Sequence, residues 1–429
     1  MKQTAENTES DIVEKKEYTP YVEIKIIMSM IFLLAFGLIM IYSASGYTSL
    51  VSSSVTGNDA EYYLTRQIRN TLFGLVFMLL TYIIPYGIYK YHPVLIYMVS
   101  VVLIVLLSTS QSVSSHGAER WLKIGPLQIQ VADVLKLCMI MVMATMISHF
   151  WQRLDKRRYI LLIWLVVAVP TLVLVKISSN LSSGIILALM CFSVTFVCSR
   201  DVKLHFITLV LAIVAVICVI QYCKAFIKSG KDINELDPYQ LKRVVAWLDP
   251  DYDDDASYQS TQAIYAIGSG GLLGKGLGNG TQKLSRVSES QNDFIFAVIC
   301  EELGIVGVLL LLLMYGYLLY HIYIVIRESK NVFASTVCLG IFIHILWQII
   351  VNIFVVVGIF PNTGASLPFI SYGGTALMFT MGEMGLVIGI RRQQITHRYD
   401  RFMKELAQKH KMKQKKRKEW ISRLWQQRA

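Results

Sequence analysis

Asp293 stands directly ahead of Phe294, Ile295 and Phe296, at the head of a long apolar run. A carboxylate at a hydrocarbon boundary is expensive unless it has a task. Partial desolvation there makes it more basic, which suits it to take a proton from a hydroxyl. Glu289 precedes it by four residues, so the two fall on one face near a helix N-terminus, where the helix dipole alone already favours acids. A second charged pair opens another apolar run: in QVADVLKL at 130–137, Asp133 and Lys136 are spaced to meet on one helix face. Ionisable groups at that depth mark either a functional site or a structural ion pair. Just upstream, HGAERWLKIGPLQ at 116–128 carries Arg120 and Trp121, a pair suited to the membrane–water interface.

Other motifs point to less chemistry. Seven glycines between 268 and 280 surround Lys275, but a phosphate-binding P-loop needs Gly where Ser269 stands and Ser or Thr where Gly276 stands. The run is better suited to letting the backbone turn sharply near the membrane, against a ligand carried to it. DPDYDDD at 249–255 lacks the Gly and terminal Glu of a helix–loop–helix calcium site and reads as a solvated loop. His344, Gln348 and Asn352 form an i, i+4, i+8 polar stripe of the kind that joins membrane helices by hydrogen bonds. The seven cysteines form no CxxC and are odd in number, so they read as small apolar filler. There is no HExxH and no clustered His/Cys metal motif.

The elements that must hold these residues are membrane helices. The chain is 54% hydrophobic and 16% charged, against roughly 25% charged in an ordinary soluble protein. Apolar runs of about 20 residues, each enough for a bilayer core, recur near 24–45, 70–89, 92–108, 130–149, 159–176, 181–198, 204–222, 294–326, 333–358 and 371–390. The expected fold is an all-α polytopic membrane protein of about ten transmembrane helices, with a long extracytoplasmic loop, 223–293, between helices seven and eight. Lys90, Arg153, Lys156, Arg157, Arg158, Arg200, Lys203, Arg327 and Lys330 fall in alternate short loops, which places both termini in the cytoplasm. Residues 1–23 form a polar tail with no apolar signal segment. The chain carries 41 basic and 29 acidic residues, and most of the excess lies from Arg391 onward, with 14 Lys or Arg against three acids. The tail at 393–429, with KHKMKQKKRK at 409–418, is expected to meet anionic lipid and not nucleic acid.

Five runs, in order, resemble the SEDS family (shape, elongation, division and sporulation), which includes FtsW, RodA and SpoVE. They are IYSAS at 41–45, GAERWLKIGP at 117–126, GSGGLLGKGLGNGTQKL at 268–284, NDFIFAVICEELG at 292–304 and LPFISYGGTAL at 367–377. The resemblance spans 24–392. GLGN before QKL, and SQND before FIF, are nearer the FtsW branch than RodA. Departures occur where the family usually has QPSE and this chain QVAD, where it has PE.HTD and this chain SESQND, and where a PDLGT-like element reads SSNLSSG at 178–184, with Asn180 for the acid.

The resemblance implies a peptidoglycan glycosyltransferase that polymerises lipid II at the outer face of the cytoplasmic membrane, alongside a class B penicillin-binding protein and other division or elongation membrane proteins. A cell-division role at the septum is the expectation. Asp293 falls at the aspartate those enzymes are thought to require, as a base or as a metal ligand with Glu289. The leaving diphosphate needs positive charge, for which the candidates are Arg120, Lys136, Arg243 and Lys275, with Trp121 beside them, or a divalent cation, Mg or Mn. Two other classes compete: a flippase for the lipid-linked precursor and a non-catalytic scaffold. No repeated half is visible, and the decorated loop lies on one face and not at the midplane where transporters bind substrate.

Overall fold

The computed structural model describes residues 19, 21–51, 59–107, 112–115, 118–124, 127–178, 180–230, 236, 239–249, 254–281 and 290–426. Ten long helices form the bundle among them: α1 (Val22–Val51), α2 (Tyr62–Ile83), α4 (Pro93–Leu107), α5 (Val131–Phe150), α6 (Arg157–Ser178), α7 (Leu181–Cys198), α8 (Val202–Lys228), α11 (Ile295–Glu328), α12 (Val332–Val356) and α13 (Gly374–Gln426). The short α3 (Tyr86–Tyr91) links α2 to α4. Seven of the ten are long and apolar enough to cross a bilayer by length and composition, and α4 is a shorter apolar helix. The chain is a multi-pass membrane protein.

Several boundaries differ from the sequence reading: α1 runs on to Val51, and α13 continues through the expected basic tail to Gln426. Helix α2 starts at Tyr62, eight residues ahead of the apolar run, because Tyr62–Arg69 is polar but still helical. It stops at Ile83, since Ile84 is extended ahead of Pro85. Helix α8 runs six residues past its expected end, to Lys228. The expected outer loop 223–293 therefore begins later, and it is not irregular throughout: it holds α9 (Tyr239–Leu248) and α10 (Asp254–Gly270). The fold is also not purely helical. Three strands, β1 (Ser112–Ser115), β2 (Ala118–Ile124) and β3 (Leu127–Gln130), form an antiparallel sheet, with Trp121 opposite both Val113 and Gln130. Gly125–Pro126 between β2 and β3 is a turn signal that the loop reading passed over.

The glycine run has a structural task. Helix α11 is broken at Gly304, whose φ of 62° and ψ of −162° are closed to other residues. Backbone groups freed inside a membrane bundle must find partners. The 271–276 loop supplies them: Lys275 and Gly276 N–H donate to the carbonyls of Glu301 and Glu302 at 2.9 Å, and Ile305 and Val306 N–H donate to Gly271 and Leu272. The two acids following Cys300 complete the join. Both are fully buried; Glu301 accepts from Lys275 Nζ at 2.7 Å and Thr281 N at 2.8 Å, and Glu302 accepts from Ser43 Oγ and Gly278 N. The glycine run thus turns against this chain's own helix.

At the far end of the bundle, Thr19, Glu23, Glu328 and Arg391 meet. Arg391, fully buried, bonds to Glu328 and to the Thr19 carbonyl, with Glu23 at 3.6 Å. The segment before α1 and the root of the last helix therefore share one end.

Two glycines separate backbone strain from overlap. Gly274 (φ 76°) leaves no room for a Cβ, which would fall 2.2 Å from the Glu302 carbonyl oxygen, whereas at Gly230 (φ 64°) nothing lies within 4 Å. Gly230→Ala is expected to cost about 1 kcal/mol and Gly274→Ala about 2–4 kcal/mol, strain plus overpacking. Thermal unfolding in detergent measures both, and equal shifts would show that the loop does not plug the helix break.

Candidate functional site

A cavity of about 630 Å³ opens at the end of the bundle opposite Arg391, where β2, α5, α7, α9, α10, the turn before α11 and the turn after α12 converge. Its charged lining is Asp133, Lys136, Arg243 and Asp293. Each is set by a local device.

Asp293 lies in the turn that starts α11 and is half-buried. Asn352, at the end of the polar stripe on α12, donates Nδ2 to the Asp293 carbonyl at 2.9 Å and to the Ala365 carbonyl at 2.6 Å. That joins the aspartate's backbone to the 362–366 turn. The carboxylate rests against Gly364, where an added Cβ would sit 3.1 Å from Oδ2 at a φ of 73°. Of the rest of the stripe, Gln348 bonds to the Ser366 carbonyl in the same turn, and His344 joins α12 to Glu383 on α13.

Lys136 and Asp133 form a buried ion pair at 2.8 Å, with side chains 6% and 5% exposed. Thr375, at the start of α13, donates to Asp133 Oδ2 at 3.2 Å. The pair thus aligns α5 with α13 while Lys136 lines the cavity. Arg243, on α9, donates Nη1 to the Asn362 carbonyl at 3.1 Å, and Trp247, one turn on, donates to the Gly358 carbonyl at 2.8 Å. These bonds dock α9 over the cavity. Asn180 caps α7, accepting from Ser183 N at 3.2 Å, and also lines the wall. Below them, the 367–373 turn closes the floor with Tyr372 and Gly373. Phe369 there holds a φ of 64°, rare for an aromatic residue, under bonds from Tyr315 Oη to the Pro368 carbonyl and from Leu367 N to Ser371 Oγ.

The structure brings Trp121, Lys136, Arg243 and Asp293 to one cavity. It does not bring Lys275 there. That lysine is paired with Glu301 in the plugged helix break, because its loop folds back onto α11. Arg120 lies on β2 beside Trp121, with its side chain outside the described residues, and Glu289 lies wholly outside them, as does most of the 249–255 run. Among the described residues no three His, Cys, Asp or Glu side chains cluster as a metal site. Asp133 is engaged by Lys136, so a cation in the cavity would rest on Asp293 together with substrate phosphate oxygens, an arrangement usual for Mg²⁺. Sequence reading missed Trp247 and Asn362. Trp247 follows Arg243 at i+4 on an amphipathic helix, a signal hidden within a stretch taken as loop.

The profile of the Cell cycle protein family, FtsW/RodA/SpoVE, matches residues 24–396. The chain belongs to this family. It is 29% identical over 372 residues to stage V sporulation protein E of Bacillus subtilis, covering 86% of this chain and 97% of that one. It is 31% identical to the probable peptidoglycan glycosyltransferase FtsW of Trichlorobacter lovleyi (86% and 92% covered) and 33% to the peptidoglycan glycosyltransferase MrdB of Escherichia coli K12 (82% and 90%). These values do not separate the FtsW branch from the others. Among solved structures, a peptidoglycan synthase complex that coordinates polymerization and crosslinking matches with a TM-score of 0.61 at 25% identity, over 84% of this chain and 96% of that one. The rod-shape-determining protein RodA of Thermus thermophilus shares the fold, with a TM-score of 0.59 at 22% identity over 86% and 95%.

The coupling between Asp133 and Lys136 is open to measurement. Removing one partner of a buried pair typically costs about 3–5 kcal/mol, because the other charge is left uncompensated. Lys136→Met should therefore lower the melting temperature strongly, and adding Asp133→Asn should restore about half of the loss or more. Additive effects in this double-mutant cycle would show that the two charges are not coupled.

Proposed function

We propose that this chain is a peptidoglycan glycosyltransferase that joins lipid II into glycan strands at the outer face of the cytoplasmic membrane, in cell division. The observation that carries the reading is the meeting of one carboxylate, Asp293, with two cationic side chains, Lys136 and Arg243, on the wall of one cavity. The names of the FtsW and MrdB relatives give the same reaction class.

Transfer requires the acceptor hydroxyl oxygen to bond to the donor's anomeric carbon as the bond from that carbon to the diphosphate breaks. The electron pair leaves with the diphosphate, and the hydroxyl proton passes to the Asp293 carboxylate. Asp293 is suited to this because Asn352 and the Gly364 turn hold it in place. Lys136 and Arg243 offset the negative charge that develops on the leaving group. Were Asp293 instead to hold a divalent cation, Mg²⁺ or Mn²⁺, that cation would supply the stabilisation of the leaving group. Trp121 gives the cavity edge an apolar surface for the lipid-linked substrate, and Arg120 and Glu289 flank the site in sequence.

The same reading places both termini in the cytoplasm and assigns a crosslinking partner, a class B penicillin-binding protein. The related polymerization and crosslinking complex supports that partner. Other division proteins and anionic lipid at the basic tail complete the set.

Two measurements test this. Asp293→Asn keeps the shape and removes the base, so lipid II polymerisation by the purified complex should fall about 10²- to 10⁴-fold with expression and partner binding intact. Near-normal strands on a gel would return the choice to flippase or scaffold. For topology, a cysteine at exposed Tyr258 in a Cys218→Ser background should react with an impermeant maleimide in intact cells, and one at exposed Met412 should not. Labelling at Met412 from outside would reverse the orientation.

A further inference from the structure

At the end of the bundle opposite the cavity, α1, α2 and α13 leave a second recess of about 350 Å³. This is within the size range of small-molecule sites, about 300–1,000 Å³. It exists because two helices that touch then part. At Gly385 an added Cβ would fall 2.2 Å from the Met78 carbonyl oxygen, so α13 and α2 are in backbone contact there. Helix α2 then ends at Ile83, whereas α13 continues past Arg392. The slot between them is walled by Ile27, Met78, Leu79 and Ile388, and Leu79 is half exposed on the outside of the bundle, where the bilayer lies.

Polar groups gather at the mouth. Arg391 turns inward to Glu328 and the Thr19 carbonyl. Arg392 turns outward, its guanidinium carbon 4.5 Å from the Tyr82 ring centroid, and among the described residues it makes no ion pair with a carboxylate. Stacking on Tyr82 fixes the guanidinium without neutralising it. Glu23 lines the same recess, 3.6 Å from Arg391 Nε and partly exposed. The mouth therefore offers one cation and one carboxylate beside an apolar slot.

We propose that this recess holds one zwitterionic aminophospholipid of the adjoining leaflet, phosphatidylethanolamine. An acyl chain fills the slot, the phosphodiester bonds to Arg392, and the primary ammonium bonds to Glu23. An anionic lipid would satisfy Arg392 but bring its net negative charge against Glu23. A choline headgroup has no N–H to donate. The assignment is independent of the glycosyltransferase reading, and it differs from the diffuse attraction of the basic tail for anionic membrane in naming a single bound molecule.

Native mass spectrometry of the purified, partly delipidated full-length chain tests it, with dioleoyl phosphatidylethanolamine, phosphatidylglycerol and phosphatidylcholine offered at equal concentration. One phosphatidylethanolamine should be retained, in about fivefold preference over each of the others, the effect of one interfacial charge contact. Arg392→Gln should reduce its retention, Glu23→Gln should abolish the preference over phosphatidylcholine, and Leu79→Trp should reduce retention of all three. Lys415→Gln with Lys416→Gln in the tail should leave retention unchanged. Equal retention of the three lipids, a preference for phosphatidylglycerol, or loss of retention in the tail variant alone would overturn the proposal. Monodisperse elution of each variant separates lost binding from lost folding, and any one folded groove variant suffices to decide.

Discussion

The break in α11 at Gly304 is the constraint on which the outer half of the molecule depends. A membrane helix that stops hydrogen-bonding to itself exposes carbonyls and N–H groups that lipid cannot satisfy. Here the glycine loop fills the gap from the side, backbone to backbone, and a Cβ at Gly270 or Gly274 would overlap the 300–302 backbone. Glu301 and Glu302 then take hydrogen bonds from the loop that follows. A chain segment pinned at Thr281 re-enters the described structure at Ser290, which is itself bonded to the Ala44 carbonyl. Asp293 therefore sits at the start of a helix fixed from both sides, and its placement in the cavity follows from that anchoring.

Charge in the cavity is nearly balanced, and the balance is unequal in kind. Lys136 is held by Asp133, so much of its charge is already answered. Arg243 is oriented in part by a neutral carbonyl, that of Asn362. A planar guanidinium held in this way suits bidentate contact with a phosphate oxygen pair better than an ammonium does. Of the two cations, Lys136 is the one whose ion pair keeps α5 and α13 aligned.

What could be read from the sequence was what depends on local pattern. The apolar runs gave the helices, and the cost of an acid beside Phe294 and Phe296 singled out Asp293. The pairing of Asp133 with Lys136 was legible because three residues separate them on one helix. Lys275 was not legible, because its partner Glu301 is 26 positions away inside an apolar run and meets it only when the loop folds back. The sheet at 112–130 and the helices within 223–293 were hidden for a related reason: short polar elements stabilised by docking carry little periodic signal of their own. Trp247 and Asn362 became site residues only through that docking.

The two ends of the bundle solve different electrostatic problems with the same residue types. Near the cavity, charged side chains held by hydrogen bonds and an ion pair line an open space. At the opposite end, Arg391 is wholly enclosed by Glu328, Glu23 and the Thr19 carbonyl, which closes the bundle. Adjacent residues divide the work, since Arg391 turns inward to lock the helix ends while Arg392 turns outward to the bilayer edge. One helical step of about 100° between neighbouring side chains is enough to place a structural charge and a lipid-facing charge side by side.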